Sequence, residues 1–189
     1  MTVRVPKAEL PGEVQEAMVR QFGEVPEPVE VLFNHPDLAA ANLEFAAKVA
    51  SWKAVDASLK SYAHMAVAAL VGCSWCLDVG YFQAQHEDLD LAKASQVPRW
   101  RESDVFSPLE REVMAYAEAM SVTPTTVTDE QAASLLRQLG TAGVVELTVF
   151  VAFVNLSTRA NTAHGVTSQG FSESCEIPLA GRPAAVGRA

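Results

Sequence analysis

The sequence is short of several things, and each shortage excludes a class of protein. Aromatic residues make up 7% of the chain, while Ala, Val and Leu dominate a hydrophobic content of 49%; that balance favours close-packed helices over sheets. No β-hairpin signal and no Gly-rich phosphate loop occurs, which sets aside the common nucleotide enzymes. Basic residues are scarce, with 14 Lys and Arg against 23 Asp and Glu and a net charge of -9. Such a chain repels phosphate backbones and anionic lipid, so neither nucleic acid nor a membrane is an expected partner. The most apolar run, LTVFVAFVNL over 147–156, is about half of the roughly 20 residues a membrane span needs and reads as a core or subunit-contact helix. The opening MTVRVPKAELPGEV lacks the zones of a secretory signal, so a cytoplasmic location is expected. Three cysteines are too few for a disulfide framework, and the spacing of two of them therefore carries weight.

What is present is helical. A length of 189 residues suits one domain. The pattern predicts a loose arm over the first 11 residues, then a short amphipathic helix over about 13–21, and a second element near Pro28. In DLAAANLEFAAKVASWKAVD, Leu38, Leu43, Phe45 or Ala46, and Val49 form a stripe expected to face the core. ASLKSYAHMAVAALVG predicts an unbroken helix up to Gly72, and a further helix runs from Cys73 to about Glu87. A short helix follows before Pro98. Ser107-Pro108-Leu109-Glu110 and Thr128-Asp129-Glu130-Gln131 are capping signatures that start two more helices. Gly140 closes the second of these, and the following 25 residues, apolar nearly all round, predict a central helix covered on several sides. Residues 168–189 read as an irregular tail. The fold class is therefore all-α, a single-domain helical bundle.

The chemistry sits in GCSWCLDVG, where Cys73 and Cys76 form a CxxC. The thiolate is the reactive form, and a free thiol with a pKa of about 8.5 is only a few per cent ionised at neutral pH. If Gly72 ends one helix and the next begins at Cys73, both sulfurs lie in a first turn whose unpaired N–H groups favour negative charge. A separation of three also puts the thiols on one face, so one can resolve a sulfenic acid or mixed disulfide formed by the other. Half a zinc site is the rival reading, with His35, His64, His86, His164 and Cys175 as the remaining ligands, none at the usual spacing. Two inert buried thiols are the other rival. Trp75 reads as packing and Cys175 as the odd cysteine. As proton-handling partners the residues offer Asp78, His64 and His86. On the last long helix Asn155 and Arg159 share a face, and Arg159 is expected to pair with Glu110, Glu118 or Glu146, or else to orient an anion at the cysteines.

The stretch MAVAALVGCSWCLDVGYFQAQ, with LAKASQVPRWRESDVFSPLEREVMAYAEAM and the C-terminal SQGFSE, resembles the carboxymuconolactone decarboxylase and alkylhydroperoxidase-D-like family over roughly residues 30–180. The resemblance implies an all-helical fold assembled as trimers or hexamers. In its redox members it implies a thiol-dependent peroxidase or disulfide reductase that uses no haem, flavin or metal. The substrate would be a small peroxide or disulfide and the electron donor a thiol reductant. By the same resemblance Cys76 meets peroxide and Cys73 resolves it. The family's glutamate and histidine relay positions are here Ser61 and Gly80, neither of them titratable. The family's other branch implies a decarboxylase or isomerase of a small carboxylated lactone. A third possibility is a non-catalytic homo-oligomer that binds a small molecule.

Overall fold

Among the described residues, 3–181, of the computed structural model the chain forms eight α-helices and two 3₁₀ turns, with no strand. The helices are α1 (Gly12–Phe22), α2 (Glu27–Leu32), α3 (Pro36–Ser51), α4 (Ala57–Val71), α5 (Ser74–His86), α6 (Leu91–Ala94), α7 (Pro108–Ser121) and α8 (Asp129–His164). The 3₁₀ turns are Val97–Glu102 and Phe171–Ser174. Both capping signatures form: Ser107 and Glu110 exchange side-chain and backbone bonds at the start of α7, as do Thr128 and Gln131 at the start of α8. Each satisfies two otherwise unpaired N–H groups. α8 is interrupted at Gly140, whose φ of 69° and ψ of 175° suit a residue without a Cβ. The stop expected there is thus a break within a longer element.

α4 is the centre of the bundle and packs against α5, α7 and α8. Its small residues Ala63, Ala66 and Ala68 are buried and let neighbouring backbones approach closely. On one side α4 shares a core with Val113, Ala117, Leu135, Leu147, Val151 and Val154. On the other, Tyr62, Met65 and Ala66 meet Tyr81, Trp100, Phe106 and Met114. One ion pair lies inside: Lys60 Nζ is 3.1 Å from Glu146 Oε1, and the same carboxylate accepts the N–H groups of Ala54 and Val55 at 2.7 and 3.3 Å. Lys60 also donates to the Trp52 carbonyl at 2.6 Å. Burial opposes the Glu146 charge, but these donors outweigh it and hold the carboxyl below its ordinary value.

Four expectations are corrected. The α3 stripe faces the core only in part: Val49 is buried and Leu43 and Ala46 are half-buried, as expected, whereas Leu38 and Phe45 are exposed, Phe45 lies edge-on to Trp52 and Phe153, and Ala39 is buried instead. The small Ala39 permits the tighter contact. α8 is not covered on several sides within one chain. Leu147, Val151 and Val154 are buried, but Val145, Val149 and Leu156 on its other face are exposed. By length and composition alone α8 is long and apolar enough to cross a membrane; the ten-residue run understated it. The N-terminal arm is tied down, with the Arg4 guanidinium on the Thr162 and Ala163 carbonyls at the end of α8 and Lys7 paired with Glu27 and Glu30. Arg159 forms no ion pair with the expected carboxylates; it donates to the Ser121 carbonyl at 2.5 Å, closing the end of α7. Glu110, Glu118 and Glu146 are taken instead by Lys93, by Trp100 and Arg101, and by Lys60.

The segment after α8 is held as a strap across α5. The buried Asp78 carboxylate accepts from Ser168 Oγ at 2.8 Å and from the backbone N–H groups of Gln169, Gly170, Phe171 and Ser172 at 2.7–3.1 Å. Phe171 then seats its ring among Phe22, Trp75 and Phe82. Burial disfavours the charged carboxylate, yet the donors prevail and lower its pKa below the ordinary 3.8. The strap's contribution is therefore complete above about pH 4 and is lost as the pH falls through the lower folded-state value. Asp78→Asn should cost about 3 kcal/mol in urea unfolding, since a charged acceptor of several N–H groups is replaced by a neutral one. It should also abolish hydrogen-exchange protection of the Gly170, Phe171 and Ser172 amides at pH 7, and unchanged protection would refute the latch.

Candidate functional site

Gly72 makes the site possible. With φ 84° and ψ 26° it ends α4 in the left-handed region, and the chain reverses so that α5 packs back along α4. Cys73 is then the N-cap of α5, and its sulfur accepts the Cys76 N–H at 3.2 Å. Cys76 lies in the first turn, its Cα 5.3 Å from that of Cys73, and the two sulfurs are joined as a disulfide. Both cysteines are buried, 1% and 2% exposed, and pack with Ala68, Trp75 and Leu77. The expected pairing of sulfurs at a helix N-terminus is present, in its oxidised form. Among the described residues no group of three His, Cys, Asp or Glu side chains is arranged to hold a metal ion.

The polar surroundings sort the candidates. Asp78 is two residues from Cys76, which is 200° of rotation on an α-helix, so the carboxylate faces away from the sulfurs. It serves the strap. Trp75 donates its indole N–H to Gln169 Oε1 at 2.7 Å, and that oxygen also accepts the Glu27 N–H at 2.8 Å. The packing residue is thereby fixed to the strap. His86 is at the far end of α5, its Nδ1 2.9 Å from the Phe82 carbonyl and its ring 4.1 Å from that of Phe82. That is nearly three turns from Cys76. Cys175 is a free, half-buried thiol beside the Tyr81 cluster, pushed up in pKa by burial and by Asp78.

His64 is different. A Cβ on Gly80 would stand 3.2 Å from both Cε1 and Nδ1 of its ring. Gly80 is one turn from Cys76 on the same face, and a helical Cβ leans back toward the preceding turn. The imidazole from α4 thus occupies space that a side chain at 80 would fill. Burial pushes its pKa down to about 4, so it is uncharged at neutral pH. The straight-helix count that puts His64 opposite Cys73 is overruled by the reversal at Gly72.

One site residue escaped the sequence pattern. Asn161, 7% exposed near the end of α8, points Nδ2 at Cys76 Sγ from 3.4 Å. A polar residue near the C-terminal end of an apolar helix was the available signal, but nothing local links it to a cysteine 85 positions earlier. Asn155 serves a different place, donating to Ser121 Oγ at 2.8 Å.

Comparison with known proteins places the chain. Residues 36–119 match the carboxymuconolactone decarboxylase family. The Escherichia coli protein YnjA, itself uncharacterized, is 33% identical over 124 residues, which are 66% of this chain and 66% of that protein. A cysteine-to-alanine variant of the debrominase Bmp8, in complex with 2,3,4-tribromopyrrole, superposes with a TM-score of 0.80 at 21% identity, covering 92% of this chain and 96% of that one. An alkylhydroperoxidase AhpD core protein from Ralstonia eutropha, described as peroxidase-related, gives a TM-score of 0.80 at 19% identity over 93% and 97% of the two chains. With the CxxC inside the matched segment, the chain belongs to the carboxymuconolactone decarboxylase family, and it shares the all-helical fold of the AhpD core protein.

Proposed function

We propose that the protein is a cofactor-free thiol oxidoreductase acting on a small peroxide or disulfide. The observation that carries this reading is a cysteine pair, close enough to bond, at the start of α5 with a hydrogen-bond donor on each sulfur. In the reduced enzyme the Cys76 thiolate attacks the terminal oxygen of the peroxide, the O–O bond breaks, the alkoxide takes the proton that left Cys76 and departs as an alcohol, and Cys76 becomes a sulfenic acid. The Cys73 thiol displaces water from it and closes the disulfide. A thiol reductant then supplies two electrons and two protons to reopen the bond. The decarboxylase reading would leave this cysteine pair without a role. Reliance on free thiols is in keeping with a cytoplasmic location.

His64 takes the proton in this scheme. Uncharged and one turn along the α4–α5 contact from Cys76, it gains proton affinity as a thiolate forms nearby. The functional unit is a homo-oligomer, a dimer, trimer or hexamer, supported by the exposed Val145, Val149 and Leu156 stripe of α8 and by Phe45 beside it. An uncharged helical face of this length is of the kind that packs against another copy.

Three outcomes test these statements. With a dithiol reductant, wild type consumes organic peroxide, Cys76→Ser loses at least a hundredfold in rate and Cys73→Ser stalls after one turnover; equal rates in all three sink the enzyme. His64→Ala slows turnover about tenfold to a hundredfold, the lower range for a positioned base. Returning the ring from the neighbouring helix in His64→Ala/Gly80→His restores at least part of that loss, and no rescue would remove His64 from the mechanism. Light scattering gives a mass that is a multiple of the 20.3 kDa protomer, and Val145→Glu with Leu156→Glu reduces it to one protomer. A wild-type monomer would contradict the assembly.

A further inference from the structure

We infer that Asn161 is a catalytic residue whose side-chain amide stabilises the Cys76 thiolate and so selects that sulfur to carry the charge. The inference rests on the thiol-oxidoreductase reading and deepens it. Asn161 is buried on α8, and its Nδ2 is the side-chain donor on Cys76 Sγ, at 3.4 Å. Burying an amide is costly unless its N–H groups find acceptors. A disulfide sulfur is a weak, neutral acceptor, whereas a thiolate is a charged one, and hydrogen bonds to charged groups are shorter and roughly twice as strong. The Asn161 contact is therefore stronger after the disulfide opens than before. An interaction that strengthens along a reaction favours that reaction, and here it favours release of Cys76 as the anion.

The two sulfurs draw their donors from different sources. Cys73, as N-cap, receives the Cys76 backbone N–H at 3.2 Å, a bond that any capped helix supplies. Cys76 receives a side chain from another helix, one that a substitution removes without touching the cap. The ionisable groups on the surrounding elements do not duplicate it. On α5, Asp78 is bound to the strap; on α4, His64 lies against Gly80 and Lys60 is held by Glu146. On α8, His164 is one turn beyond Asn161 and its carbonyl accepts the Arg4 N–H. In the strap, Cys175 is a protonated thiol of raised pKa.

The redox step balances as follows. A dithiol reductant gives up two electrons and two protons and closes its own disulfide. The Cys73–Cys76 bond breaks, Cys73 takes up one proton as a thiol, Cys76 is left as a thiolate against the Asn161 amide, and the second proton passes by way of His64 to solvent.

The test follows the thiolate directly. In a Cys73→Ser background, absorbance of the thiolate at 240 nm is titrated with and without Asn161→Leu, which fills the same space and offers no donor. The expected result is a tenfold or larger loss of thiolate fraction at pH 7, with Asn161→Gln recovering part of it. In the otherwise native enzyme, equilibration with dithiothreitol should favour the disulfide tenfold more in Asn161→Leu than in wild type, which is ~30 mV for a two-electron couple. Unchanged thiolate fraction and unchanged equilibrium would overturn the assignment. Should the leucine variant not fold, the Asn161 side-chain amide resonances of wild type decide: they shift on reduction if the contact tightens, and identical resonances in both states refute it. Neither readout needs turnover. Peroxide consumption that persists while the thiolate is unmoved removes Asn161 alone, and absent consumption with a thiolate that responds to Asn161 removes the peroxidase alone.

Discussion

The reversal of the chain at Gly72 is the constraint on which the site depends. A left-handed residue there ends α4 and starts α5 within two positions, and three consequences follow. The first is that Cys73 becomes an N-cap and Cys76 a first-turn residue, where unpaired N–H groups gather. The second is that α5 lies antiparallel to α4, which lays the His64 ring against Gly80. The third is that the side of α5 opposite the sulfurs is turned outward to receive the strap at Asp78. An alanine at 72 would carry a Cβ in a conformation that L-residues avoid.

Charge is kept off the sulfurs by direction as much as by distance. A carboxylate beside a thiol raises its pKa and would work against the helix N-terminus. Asp78, two positions from Cys76, would be such a group if it were not rotated away and gathered by five donors from residues 168–172. The same donors fix Gln169, which fixes the indole of Trp75, which packs against both cysteines. Strap, tryptophan and sulfur pair therefore form one chain of contacts in which an acid on the outer face of α5 controls the cover on the inner one. The buried Lys60 and Glu146 pair has no comparable link to the cysteines; its four hydrogen bonds close the α3–α4 connection onto α8.

What could be read from sequence was local. The two capping signatures, the glycine stop at 72 and the CxxC at a helix start are each decided within a few residues, and each formed, while the stop read at Gly140 became a break inside α8. Amphipathic stripes proved less reliable. In α3 the large residues Leu38 and Phe45 suggested the inner face, but small Ala39 is inside, because close packing against a neighbour rewards fit over size. Arg159 has carboxylates within the same fold, yet they are claimed by Lys93, Lys60, Trp100 and Arg101, a competition that only the fold can settle. Asn161 stood out as polar, but its role could not be assigned for the same reason. Its meaning comes from a sulfur 85 residues away.

The sulfurs are also asymmetric in a way the CxxC spacing does not disclose. A helix N-terminus by itself favours the capping sulfur, Cys73, which already accepts the Cys76 N–H. The family resemblance favours Cys76 as the attacking group. These two statements are reconciled if the thiolate at Cys76 has a donor of its own, and the amide of Asn161 is in place for it. On that proposal, with backbone donation fixed on Cys73, the side chain from α8 is the adjustable element, one that would set how readily Cys76 is charged without disturbing the cap that starts α5. Under that proposal relay residues are not required at 61 and 80, since proton acceptance by His64 on α4 and thiolate stabilisation by Asn161 on α8 would divide the task between two helices.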